Sequence, residues 1–125
     1  LGTTVPALAE LVQPAQMLQK MHFSALKEPH IASSLACAER KQVVVLGTET
    51  HVCVLQSVFD LLDLGYQVFV VTEAVGSRTE QNKQLALSRM QQAGAQIISK
   101  EMLAFEWLQC CGTDTFRQIS KGWIR

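Results

Sequence analysis

An open parallel β-sheet sandwiched between helices, a three-layer α/β/α architecture, is the fold this 125-residue chain predicts. Three observations predict it. Short β-branched apolar runs alternate with helix-patterned stretches, glycines follow two of the helical patterns at Gly65 and Gly94, and the strand-like runs recur at roughly the 30-residue interval of a βαβ unit. Parallel strands need such crossovers, and the crossovers are right-handed.

Taken in order, residues 5–11 read as loop or a short helical turn, 16–21 as a candidate strand, and 31–39 as a helix. Residues 42–47 form the first strong strand, a Val-rich run ending in Gly47 and patterned for burial on both faces. Leu55, Val58, Phe59 and Leu62 then repeat at helical spacing, stopped by Gly65. Residues 67–71 are the second strand. Ser77-Arg78-Thr79-Glu80 has the form of a capping box opening a helix that runs to about Gly94. Residues 96–98 form a third strand, and Ser99 caps a helix through Met102, Leu103 and Trp107. Three strands are few for such a sheet, so one or two central strands are expected to be missing, and the chain is read as a single domain over residues 1–125 that is N-terminally incomplete.

Composition narrows the function. Eleven Lys and Arg balance eleven Asp and Glu, hydrophobic residues make up 48% and charged residues 18%. That is globular composition, without the concentrated positive charge that nucleic acid or an anionic membrane surface requires. No apolar run approaches the roughly 20 residues of a bilayer span, and Leu1-Gly2-Thr3-Thr4 has neither region of a signal peptide. Cys37, Cys53, Cys110 and Cys111 form no C-x-x-C pair and no zinc spacing with histidine, so free thiols in a reducing cytoplasm are expected, with no metal and no cofactor.

In open parallel sheets ligands bind beyond the carboxyl ends of the strands. Here that position is Gly47-Thr48-Glu49-Thr50-His51-Val52-Cys53-Val54. Cys53 would sit in the first turn of the following helix, where backbone N–H groups favour a thiolate and could stabilise an oxyanion. The competing reading is a small buried hydrophobe, the commoner fate of a free cysteine. His51 reads either as a partner for Cys53 or as a histidine satisfied within the turn. Lys20, on spacing alone, is a solvated lysine, and Asp60 and Asp63 suit packing or surface pairing better than acid–base work. Thr48, Glu49 and Thr50 are polar groups at an apolar junction and need partners or a ligand. Cys37, Cys110 and Cys111 lie away from strand tips.

The Gly47–Val54 segment resembles the nucleophile motif of the isochorismatase-like cysteine hydrolases, a Rossmann-like family. The resemblance continues through Asp60-Leu61-Leu62, Gly65-Tyr66-Gln67-Val68, Ser77-Arg78-Thr79 and residues 86–94, and includes Lys20-Met21-His22-Phe23-Ser24 and the Thr4-Val5-Pro6 opening. The small isochorismatase-domain proteins are the nearer branch, rather than the nicotinamidases. The resemblance implies an Asp–Lys–Cys triad with Cys53 as nucleophile and Lys20 as the cation that lowers its pKa. It also implies a cis peptide between Thr48 and Glu49, an oxyanion hole from the backbone N–H groups of Glu49 and Cys53, and substrate contacts from Phe23 and His51. The family's aspartate ends a first strand that this chain lacks: Leu1 matches a point after the second strand.

The function these readings predict is cysteine-dependent hydrolysis of a small amide- or ester-like metabolite, in a homo-oligomer of two or more copies. The alternative is a catalytically inactive oligomeric scaffold that keeps the fold, with Phe105, Trp107 and Trp123 serving an interface. A thiol redox role for Cys53 has no resolving cysteine nearby to support it.

Overall fold

The computed structural model describes residues 4–13 and 16–124. The start of the expected domain at Leu1 lies outside them. In chain order the elements are α1 (Pro6–Ala9), a 3-10 turn (Ala25–Lys27), α2 (Pro29–Cys37), β1 (Gln42–Thr48), a π-helical turn (Thr50–Val54), α3 (Leu55–Asp63), β2 (Gln67–Gly76), α4 (Glu80–Gln92), β3 (Gln96–Ile98), α5 (Lys100–Leu108) and α6 (Asp114–Trp123). The strands form one parallel sheet in the order β1-β2-β3.

Strand side chains alternate between faces, and β2 shows what each face buries. Val68, Val70 and Val75 pack with Leu55, Val58 and Leu61 of α3 and Ala86, Leu87 and Met90 of α4. Phe69 and Val71 turn the other way and join Ile98, Val44 and Leu103 of α5. Two helical layers therefore cover the sheet, as the sequence predicts. Burying a Val, Leu or Met side chain stabilises by about 1.5–3 kcal/mol, so the α3/α4 side, with the longer set of buried residues, dominates the core. The Arg89 guanidinium lies 5.3 Å above the Phe59 ring, tying α4 to α3 at the rim.

The structure corrects several expectations. β1 is only half-buried, and Leu46 is 61% exposed. Among the described residues nothing pairs with the outer side of β1, as expected of a sheet read as lacking central strands. β2 continues past Val71 to Gly76, because the register shifts between Val45 and Gly47 and lets Val75 and Gly76 rejoin the ladder opposite Gly47 and Thr48. Gly47 takes φ 146° at this bulge, a backbone state that disfavours side chains. Residues 17–20 form no strand; side chains satisfy backbone groups nearby instead, since His30 Nε2 lies 2.9 Å from Gln19 O and Glu28 takes the Met21 N–H.

Helix ends follow the sequence with shifts. Pro29 starts α2 at its first position, two residues ahead of the expected start. The cap of α4 is Thr79, whose hydroxyl accepts from Asn82 N, rather than Ser77. Ser99 caps α5 as expected, accepting from Met102 N at 3.1 Å. α6 was not anticipated. Thr113 caps it by accepting from Phe116 N, and Phe116 packs against Phe105 of α5 with ring centroids 6.2 Å apart.

Candidate active site

The carboxyl end of β1 leads into the site. Glu49 turns the chain through the left-handed region, φ 57° and ψ 59°. Its carbonyl then accepts from Val52 N at 2.9 Å and from Val54 N at 3.4 Å, the second of these spanning five residues and making a π turn. Cys53 therefore sits in a π-helical turn ahead of α3, not in the first turn of a regular helix. Its thiol is free and only half-buried. The Thr48–Glu49 bond is not cis: no described peptide is.

Facing this turn is the segment that carries Lys20. Lys20 Nζ donates to His22 O at 2.9 Å and to Phe23 O at 3.0 Å, closing a small loop on itself. Ser24, 2% exposed, anchors that loop to α3 by donating to Asp60 Oδ2 at 2.6 Å. The Ala25 N–H adds a bond to Ser57 Oγ at 2.9 Å, and Lys27 Nζ stands 3.3 Å from Asp60 Oδ1. Asp60 thus does the packing and pairing work expected of it.

Between the two segments lies an open cleft of about 1200 Å³, whose walls include Lys20, Phe23, Glu49, Val52, Cys53 and Arg78. Cys53, Lys20 and Phe23 are thereby brought to one cavity. His51 is not: its ring lies behind Glu49, with Nδ1 3.1 Å from Ser77 Oγ and 3.5 Å from Glu49 Oε2. Both neighbours meet the same ring nitrogen, so no Ser–His–Glu relay is formed, since a relay needs one partner on each nitrogen.

Glu49 is the carboxylate in the cleft wall. Arg78 Nε holds its Oε1 at 3.2 Å, while Oε2 is buried without a hydrogen bond, as is the Thr50 hydroxyl. No group of three His, Cys, Asp or Glu side chains suited to a metal occurs among the described residues. Sequence reasoning missed Arg78, Ser57 and Glu28 as parts of the site's surroundings. Their partners are distant in the chain or lie across a loop, and no local pattern pairs them.

Fold and cleft together define a class: an open parallel α/β/α sheet with its polar, cysteine-bearing loop at the carboxyl end of a strand. An isochorismatase domain model matches residues 1–102, and the chain belongs to the isochorismatase family. It is 42% identical to the secreted isochorismatase effector Isc1 of Phytophthora sojae, across 97% of this chain and 60% of that protein. The solved structure of MAR1 ribonuclease from Caenorhabditis elegans matches all of this chain and 64% of its own, with TM-score 0.86 and 32% identity. YcaC from Pseudomonas aeruginosa, solved with hexane-2,5-diol and covalent acrylamide, gives TM-score 0.82 and 27% identity over 95% of this chain and 60% of that one. The chain thus spans about three fifths of the length of the relatives it matches.

Proposed function

We propose that this chain carries the nucleophile half of a cysteine-dependent hydrolase acting on a small amide- or ester-like metabolite, within a single domain. One observation carries the reading: Cys53, at a strand's carboxyl end, and Lys20, from a separate segment, line the same open cleft. An ammonium that shares a cleft with the sulfur can stabilise negative charge there during attack.

In the reaction, Cys53 gives its proton to an aspartate expected ahead of Leu1, and the sulfur attacks the carbonyl carbon. The carbonyl electrons move to oxygen, which the backbone N–H of Cys53 stabilises. Collapse re-forms the carbonyl and expels the amine or alcohol, which takes the proton back from the aspartic acid. Water then gives a proton to the aspartate, attacks the thioester and releases the acid and the thiolate. Phe23, on the cleft wall, contacts the substrate; His51, bonded to Ser77 behind Glu49, shapes the wall rather than touching it. The covalent acrylamide in the Pseudomonas protein makes acrylamide a natural probe here.

The Caenorhabditis protein is named a ribonuclease. Here Lys20 is already bonded to two carbonyls and Arg78 is already paired with Glu49, and the whole chain is neutral, which supports a small molecule over a polyanion or a membrane surface. No described helix is long and apolar enough to cross a membrane, and the free thiols support a reducing, cytoplasmic setting. The second reading, an inactive oligomeric scaffold, draws on Trp107 and Trp123, 71% and 76% exposed near the C-terminus. A homo-oligomer is compatible with either.

Site-resolved alkylation tests the proposal. Iodoacetamide and acrylamide should modify Cys53 faster at pH 7 than Cys37, Cys110 or Cys111, although those three are more exposed. Lys20→Met should slow Cys53 alone. Equal rates at all four cysteines would favour the scaffold, and RNA cleavage lost in Cys53→Ser would overturn the small-molecule assignment.

A further inference from the structure

The Lys20 loop is held by a residue that no motif marks. Three donors converge on one oxygen of Glu28: Met21 N at 2.7 Å, His22 N at 3.0 Å and His22 Nδ1 at 2.9 Å. The two residues whose N–H groups it captures directly follow Lys20, and the carbonyls that hold Lys20 Nζ belong to His22 and Phe23. Glu28 is itself fixed, because it stands at the start of α2, where its carbonyl accepts from Ile31 N and Ala32 N. A helix N-terminus also favours a negative charge at this position.

We propose that Glu28 is the positioning residue for the Lys20 ammonium: it folds residues 21–23 into the carbonyl cradle that aims Lys20 into the Cys53 cleft. The assignment rests on the role of Lys20 proposed above. Its logic is geometric. A lysine has four rotatable side-chain bonds and is ordinarily spread over many rotamers. Holding the ammonium at one place requires acceptors whose own position is fixed, and carbonyls in a short loop are fixed only if the loop's N–H groups are bound elsewhere. Glu28 binds two of them with a single oxygen, leaving Lys20 to close the other side. The other titratable groups beside this loop are the His22 ring, which shares the same oxygen, the His30 ring, whose Nε2 lies 2.9 Å from Gln19 O, and Lys27, which pairs with the Asp60 that anchors Ser24. The N–H of His22, then that of Met21, then the His22 ring hold the Glu28 carboxyl down at about 2, so the clamp is ionised through the neutral range.

The experiment compares the rate of Cys53 alkylation at pH 7 in the unsubstituted chain, its Glu28→Ala, Glu28→Gln and Lys20→Met variants, and the Glu28→Ala/Lys20→Met double variant. Glu28→Ala should slow Cys53 severalfold, in the direction of Lys20→Met and no further. Glu28→Gln keeps an acceptor oxygen for both N–H groups and should recover most of the rate. The double variant should be no slower than Lys20→Met, because Glu28 acts through Lys20. Cys37, Cys110 and Cys111 serve as fold controls and should keep their rates. A Glu28→Ala rate equal to that of the unsubstituted chain, while Lys20→Met is slowed, overturns the positioning role and leaves the Cys53–Lys20 reading standing. Additive loss in the double variant, or no recovery with Glu28→Gln, also overturns it. If Lys20→Met itself changes nothing, both fall together.

Discussion

Single side chains decide how the cleft is built, and two of them give direct tests. The Glu28 carboxyl is depressed from 4.5 to about 2 by the N–H groups it accepts. A group lowered on folding adds its stabilisation fully above its unfolded value and loses it as pH falls towards the folded one. The clamp should therefore hold from neutral pH down to about 4.5 and open between there and about 2. The Glu28 side-chain carboxyl carbon resonance should titrate in the lower range; a midpoint near pH 4.5 would contradict the depressed value. Ser24 makes the second test. Its hydroxyl is buried and donates to Asp60, so Ser24→Ala strands an acceptor and should cost about 1–2 kcal/mol in a denaturant melt. The same variant should loosen the Lys20 loop without touching the β-sheet.

The elements were easier to foresee than their surroundings. Val43, Val44 and Val45, like Val68, Val70 and Val71, announce strands through β-branched runs, and Gly65 and Gly94 close helices because both adopt positive φ. Those signals are local. What they could not carry was exposure: β1 is patterned as a central strand, and it is half-exposed because it has a partner strand on one side only among the described residues, in a chain that spans about three fifths of its relatives' length. The extension of β2 to Gly76 depends on the bulge opposite Gly47, a cross-strand event. The helix after Thr113 had a visible cap, with Phe116 and Ile119 at helical spacing, and could have been read. In the site, the resemblance pointed to Cys53 and Lys20, whereas Glu28, Ser57 and Arg78 act through partners that only folding brings near. The core gives the matching prediction: Met90 of α4 is fully buried against the β2 valines, and Met90→Ala should cost about 2–5 kcal/mol. A cost below 1 kcal/mol would mean that the α4 packing has been misjudged.

As a molecule the chain is electrically neutral, with aromatic side chains exposed on α5 and α6. Such surfaces favour association, because neutral charge offers little repulsion and exposed Trp buries large apolar area on contact. Sedimentation should show concentration-dependent self-association, weakened by Trp107→Lys; a monomer at all concentrations would remove the homo-oligomer from the proposal. Whatever its assembly, the chemistry depends on the reactivity of one sulfur. Timing acrylamide addition at pH 7 by intact mass, in the chain, in Cys53→Ser and in Lys20→Met, reads that reactivity directly. The account predicts one fast addition that Cys53→Ser abolishes and Lys20→Met slows. No fast addition, or one that survives in Cys53→Ser, would contradict it.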